Sequence, residues 1–68
     1  SGVEIHDTPI GFLNVRETPS GNGRLVGSAY PGERFLLLES TGIWHKIRLS
    51  DGTEGWVSGD YITELPKP

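Results

Sequence analysis

The glycines and prolines of this 68-residue chain decide most of what it can become. Most of its ten glycines and five prolines fall between short apolar runs, so the backbone is turned before any run can grow long. The runs occupy residues 3–5, 11–16, 25–29, 34–39, 44–49, 54–58 and 61–65. Turn formers separate them at the roughly 8- to 12-residue spacing of small β proteins. No stretch carries apolar residues at i, i+3, i+4 and i+7 over the roughly ten residues that a helix needs, and Pro9, Pro19 and Pro31 interrupt the longest candidates. The pattern predicts an all-β domain, with helix confined to about one turn near residues 58–61.

A chain this short has room for a single core. It contains no cysteine, so neither disulfides nor a thiolate zinc site can staple it, and packing alone must hold the fold. The formal charge is −3, and the acids and bases are interspersed rather than gathered into a basic stripe, which argues against a nucleic-acid partner. No apolar run approaches the roughly 18 residues required to cross a bilayer, and membrane insertion is not expected. The absence of methionine and the opening Ser1-Gly2 read as a fragment of a larger protein preceded by a tag-cleavage scar. The domain proper is expected over 3–64, with residues 65–68, Leu-Pro-Lys-Pro, beginning a stiff linker or tail.

Alternation assigns faces within the runs. Leu13 and Val15 point one way and Asn14 and Arg16 the other, and the first pair is apolar enough to be core. Phe35 and Leu37 are expected inside, and the continuous run means either a strand buried on both faces or one with Leu36 and Leu38 as an exposed apolar patch. Residues 17–24, Glu-Thr-Pro-Ser-Gly-Asn-Gly-Arg, form a dense cluster of turn formers and predict a long exposed loop. The hairpin around Asp51-Gly52 is settled by pairing. A two-residue loop would set Ile47 opposite Trp56 and Lys46 opposite Val57, mixing core with surface. A three-residue loop, Ser50-Asp51-Gly52, with Gly52 left-handed, sets Ile47 opposite Gly55, His45 opposite Val57, Lys46 opposite Trp56 and Arg48 opposite Glu54. Ile47, Leu49 and Val57 then share the inward face, while Trp44, Lys46 and Trp56 share the outward one.

Leu13-Asn14-Val15-Arg16, Pro19-Ser20, Leu25-Val26-Gly27, Pro31-Gly32-Glu33, Trp44 through Leu49, Asp51-Gly52 and Gly55-Trp56-Val57-Ser58 followed by Tyr61-Ile62 resemble, in this order and spacing, the bacterial SH3 domain family. The resemblance covers nearly the whole chain. It implies a small SH3-like barrel of five to seven short antiparallel strands, a non-catalytic module attached to wall hydrolases, peptidases or surface proteins, and a cell-wall peptide as ligand. The chain departs from the family pattern at His45, where many members carry tyrosine, and in the Gly and Asn pattern of the 17–24 loop. The eukaryotic SH3 signature, an Ala-Leu-Tyr-Asp-Tyr-like strand with an acidic loop, is absent from the sequence, so Pro-x-x-Pro ligands are not expected.

Trp44, Trp56 and Tyr61 are the leading candidate binding residues. Outward aromatic faces hold peptide backbone and side chains at low entropic cost, and by resemblance these positions match the aromatic groove of SH3 barrels. The alternative is that the two tryptophans close the open side of the barrel by stacking on each other. Asn14 and Arg16 offer an amide and a guanidinium to a peptide carbonyl or carboxylate; otherwise Asn14 ties the neighbouring loop, and Arg16 pairs with Glu17 or Asp60. Tyr30 either lines the groove or packs at the turn before Pro31-Gly32. The spacing of His6, Asp7 and His45 matches no ligand motif, so no metal or other cofactor is expected. No nucleophile motif surrounds Ser20, Ser28, Ser40 or Ser58, and no catalytic activity is expected. Together these observations predict a monomeric targeting module of a bacterial envelope or extracellular protein that recognises a peptidoglycan peptide. The rival reading is a spacer that packs on another domain of its own chain through the Leu36 and Leu38 patch.

Overall fold

The computed structural model of the chain describes residues 2–66. Seven short strands follow one another: β1 (Gly2–Ile5), β2 (Leu13–Arg16), β3 (Leu25–Ala29), β4 (Arg34–Thr41), β5 (Trp44–Arg48), β6 (Glu54–Ser58) and β7 (Ile62–Leu65). A single 3₁₀ turn, Gly59–Tyr61, stands where the sequence predicts its one turn of helix. Every pairing is antiparallel, and the strands form one sheet in the order β3-β2-β6-β5-β4-β1-β7. This is the all-β architecture expected from the punctuation of the sequence, and it is consistent with the SH3-like barrel of five to seven strands that the resemblance implies.

The sheet curls on itself. Val3 and Ile5 of β1 and Ala29 of β3 belong to strands far apart in the sheet order, yet they share one buried cluster with Leu13, Val15, Ile47 and Val57. Each valine, leucine or isoleucine side chain of the cluster, removed from water, supplies about 1.5–3 kcal/mol before entropy is set against it. Two irregularities bend the sheet. Between β2 and β3 the register shifts after Val15, and between β4 and β5 it shifts between Leu37 and Glu39, which leaves Leu38 as the extra residue of a bulge.

That bulge corrects the expected leucine patch. Leu36 is exposed on the outer face, but Leu38, displaced by the bulge, is half-buried and does not extend the patch. Phe35 and Leu37 pack against the core as expected, although each is only partly buried.

The β5–β6 hairpin follows the predicted register pair by pair: Ile47 with Gly55, His45 with Val57, Lys46 with Trp56 and Arg48 with Glu54. Gly52 has a φ of +92°, the left-handed conformation that the three-residue loop demands. The Leu49 amide donates to the Thr53 carbonyl at 2.7 Å, and the Thr53 amide donates to Asp51 Oδ1 at 2.9 Å. Arg48 Nη2 meets Glu54 Oε2 at 3.0 Å, which completes the expected cross-strand ion pair.

At the chain ends the paired residues reach slightly further than the sequence boundaries of 3–64. Gly2 is opposite Leu65, and both lie within strands. Ser1, Lys67 and Pro68, which bear on the expected scar and linker, lie outside the described residues.

Candidate functional site

A groove of about 300 Å³ opens on the outer side of the sheet, at the low end of the range for ligand sites. Its floor is β2, from which Leu13, Asn14 and Arg16 line it. Leu13 is almost fully buried, while Asn14 and Arg16 alternate with the core residues and so face outward. One wall is aromatic: Trp44 begins β5 and Tyr61 ends the 3₁₀ turn, and Ser58, paired with Trp44, lines the groove with them. Another wall is the loop between β1 and β2, which supplies Thr8, Pro9, Ile10 and Phe12. Gly21 of the 17–24 loop closes one end.

Short hydrogen bonds fix these walls. The Thr8 hydroxyl donates to the Phe12 carbonyl at 2.7 Å and the Gly11 amide to the Thr8 carbonyl at 3.1 Å, so the wall from the β1–β2 loop is a folded turn. The His6 amide donates to the Tyr61 carbonyl at 2.8 Å, which joins that loop to the aromatic wall. The Gly59 amide donates to the Ile43 carbonyl at 2.6 Å and seats the 3₁₀ turn against the strand that begins with Trp44.

Four of the six residues singled out from the sequence therefore meet in one groove: Asn14, Arg16, Trp44 and Tyr61. Two do not. Trp56 is on the outward face, as the hairpin register requires, but it is only 8% exposed and does not line the groove. Its strand is interior to the sheet, so Trp56 is flanked by Arg16 on one side and Lys46 on the other, with Lys46 Nζ 6.0 Å from its ring centre. It is covered by basic neighbours rather than by stacking on Trp44. Tyr30 is 53% exposed and leans on Phe12, their ring centres 6.3 Å apart and tilted by 49°, but it lines a different hollow.

Arg16 pairs with neither Glu17 nor Asp60. Its Nη1 donates to the Gly23 carbonyl at 2.9 Å, and Glu17 is held instead by Arg24 at 3.1 Å. The bond that ties the adjacent loop thus comes from Arg16 rather than Asn14. Gly23 must be glycine for this approach, because a Cβ there would lie 2.5 Å from Thr18 Oγ1 and 3.1 Å from Arg16 Cβ.

Sequence reasoning missed the wall from the β1–β2 loop. Thr8, Pro9 and Ile10 fall between the apolar runs, and only the apolar character of Ile10 and Phe12 beside Pro9 and Gly11 could have signalled it. It also missed the surroundings of His45, which is opposite Val57 on the inward side. The His45 Nδ1 lies 2.8 Å from the Ser40 hydroxyl and 3.9 Å from Glu64 Oε1. Both approach the same ring nitrogen, whereas a hydrolytic relay needs the serine and the acid on opposite nitrogens.

The second hollow, of about 330 Å³, is bounded by β3, β4 and the 50–52 turn. Its two carboxylates serve their own backbone. Glu33 Oε1 accepts from the Tyr30 amide at 2.7 Å, and Asp51 accepts from Thr53. The Thr53 backbone N–H holds the Asp51 carboxyl below the usual carboxylate range.

Comparison with known proteins settles the kinship. The model of the bacterial SH3 domain family matches residues 11–63. The chain belongs to the bacterial SH3 family. This bacterial SH3 domain is also similar to part of a protein of Listeria monocytogenes named as a probable endopeptidase p60, with 36% identity over 55 residues. The match takes in 78% of the bacterial SH3 domain but only 11% of that relative's length. Among the described residues, no helix is long and apolar enough to cross a membrane.

Proposed function

We propose that this bacterial SH3 domain is a non-catalytic targeting module that holds a larger envelope or extracellular protein to the cell wall by binding a short peptide of peptidoglycan in the groove between Phe12, Trp44 and Tyr61. The observation that carries this reading is the convergence of Asn14, Arg16, Trp44 and Tyr61, from three separate elements, on one concave surface. The groove combines two aromatic faces with an amide and a guanidinium, the mixture of apolar body and few polar anchors typical of peptide sites. Similarity to a small part of a probable endopeptidase supports it further, since a binding module raises the local substrate concentration of any enzyme to which it is joined. The domain acts as a monomer and without cofactor in this reading.

Titration with purified peptidoglycan fragments, followed by amide shifts and tryptophan fluorescence, tests the proposal. Shifts concentrated at Asn14, Trp44 and Tyr61 are expected. An unmoved groove with every wall fragment overturns it. A second reading rests on Leu36, which is 48% exposed in the middle of the outer sheet: the domain packs there on a neighbour in its own chain. Shifts around Leu36 on addition of the adjoining domain, with the groove silent towards wall fragments, favour that reading.

A further inference from the structure

Among the described residues, Arg16 is the sole charged one that lines the groove. It also stands apart from the other arginines of the chain. Arg24, Arg34 and Arg48 each hold a carboxylate, at 3.1, 2.9 and 3.0 Å respectively. Among the described residues, Arg16 has no carboxylate within salt-bridge distance, in a domain that is acidic overall. One of its five N–H groups is spent on the neutral Gly23 carbonyl, which fixes the guanidinium without discharging it.

The surroundings raise the worth of that charge. Leu13, Phe12 and Trp44 make the nearby surface apolar, so an anion brought to Arg16 is attracted across a medium less polar than water. A guanidinium held from one side and open on another presents the planar fork that a carboxylate accepts through two parallel hydrogen bonds. The constraint at Gly23 means that this fork is set before any ligand arrives, so less rotamer freedom is lost on binding.

We propose that Arg16 makes the groove a receptor for a free carboxylate, so that the peptide bound is an anionic one whose carboxylate pairs with Arg16 while its aliphatic part lies against Trp44 and Tyr61. The inference rests on the peptide-binding reading above and specifies its chemistry. A stem peptide of the wall offers two carboxylates of this kind, that of its terminal D-alanine and the α-carboxylate of its γ-linked D-glutamate. The shared chemistry is what Arg16 recognises.

The test is a titration of the unaltered domain with the synthetic tetrapeptide L-Ala-γ-D-Glu-L-Lys-D-Ala in four forms: free acid, amide at the terminal D-alanine, amide at the glutamate α-carboxylate, and both amides. Trp44 and Tyr61 shifts read the binding. Amidation of the carboxylate that pairs with Arg16 is expected to weaken binding by about tenfold or more, and the form lacking both carboxylates to bind weakest. Arg16→Gln is expected to bind all four forms equally, and Arg16→Lys to restore part of the preference. Equal affinity of the unaltered domain for all four forms overturns the assignment of Arg16 while leaving the groove a peptide site. Silence of Trp44 and Tyr61 with every form overturns both. Because the decisive arms alter the peptide and not the protein, they hold even if the Arg16 variants lose the loop.

Discussion

The groove and the second hollow are nearly equal in volume, yet they differ in what their polar groups are doing. In the hollow, Glu33 and Asp51 accept hydrogen bonds from Tyr30 and Thr53, so its carboxylates close turns. In the groove, Arg16 keeps its charge free of any carboxylate among the described residues, and Trp44 and Tyr61 are only partly buried. Size alone would rank the two as equivalent. Commitment of the polar groups separates them: one concavity is a by-product of turn construction, the other a surface with unspent interactions.

The sharpest way to break this contrast is Trp44→Ala. It is expected to weaken binding of a wall tetrapeptide by about 30-fold or more, as loss of a central aromatic anchor does, while Tyr30→Ala leaves affinity unchanged. Calorimetric titration of both variants checks it, and an equal loss in the two would erase the distinction. Next in size is Gly23→Ala. The added methyl must displace Thr18 or the strand bearing Arg16, at a cost of about 1–3 kcal/mol in stability, with weaker peptide binding in the same variant. Urea unfolding measures the first and titration the second.

Those two variants depend on features of unequal legibility. The hairpin at 50–52 was readable because its register follows from which of two short runs must share a face, and Gly52 and Arg48 with Glu54 left one consistent answer. The outward placement of Trp56 was readable on the same grounds. Its burial was not, because that depends on β6 lying between β2 and β5, a neighbour relation set by chain segments 40 residues apart, as Arg16 opposite Trp56 shows. The aromatic wall could be anticipated from Trp44 and Tyr61. The wall from the β1–β2 loop could not, since Thr8-Pro9-Ile10 carries no strand pattern and acquires its role only where the His6 amide meets the Tyr61 carbonyl. Arg16 lay in between: its face was legible, its partner was not, because a backbone carbonyl seven residues on leaves no mark in sequence.

On the hollow's side, Glu33→Ala removes the acceptor of the Tyr30 amide. It is expected to cost about 0.5–1.5 kcal/mol of stability without altering peptide affinity. A loss of affinity in that variant would show that the hollow belongs to the site. The smallest effect concerns pH. The folded Asp51 carboxyl titrates below its unfolded value, so its contribution is complete above the unfolded value and vanishes as pH falls through the folded one. Thermal midpoints measured from neutral pH down through the carboxylate range should fall less steeply for Asp51→Asn than for the parent, with the Thr53 amide resonance reporting the same transition.

The pairing of Gly2 with Leu65 has a mechanical meaning. The first and last strands are antiparallel neighbours, and the two ends of the described chain are therefore side by side. A polypeptide continuing from both ends and pulled taut would load the β1–β7 ladder at its open end, where the bonds give way one after another as in a zipper. Strands loaded lengthwise resist together; this pair cannot. The fold would yield first at β7, and the groove, built on β2, β5 and the 3₁₀ turn, would lose Tyr61 before it loses Trp44.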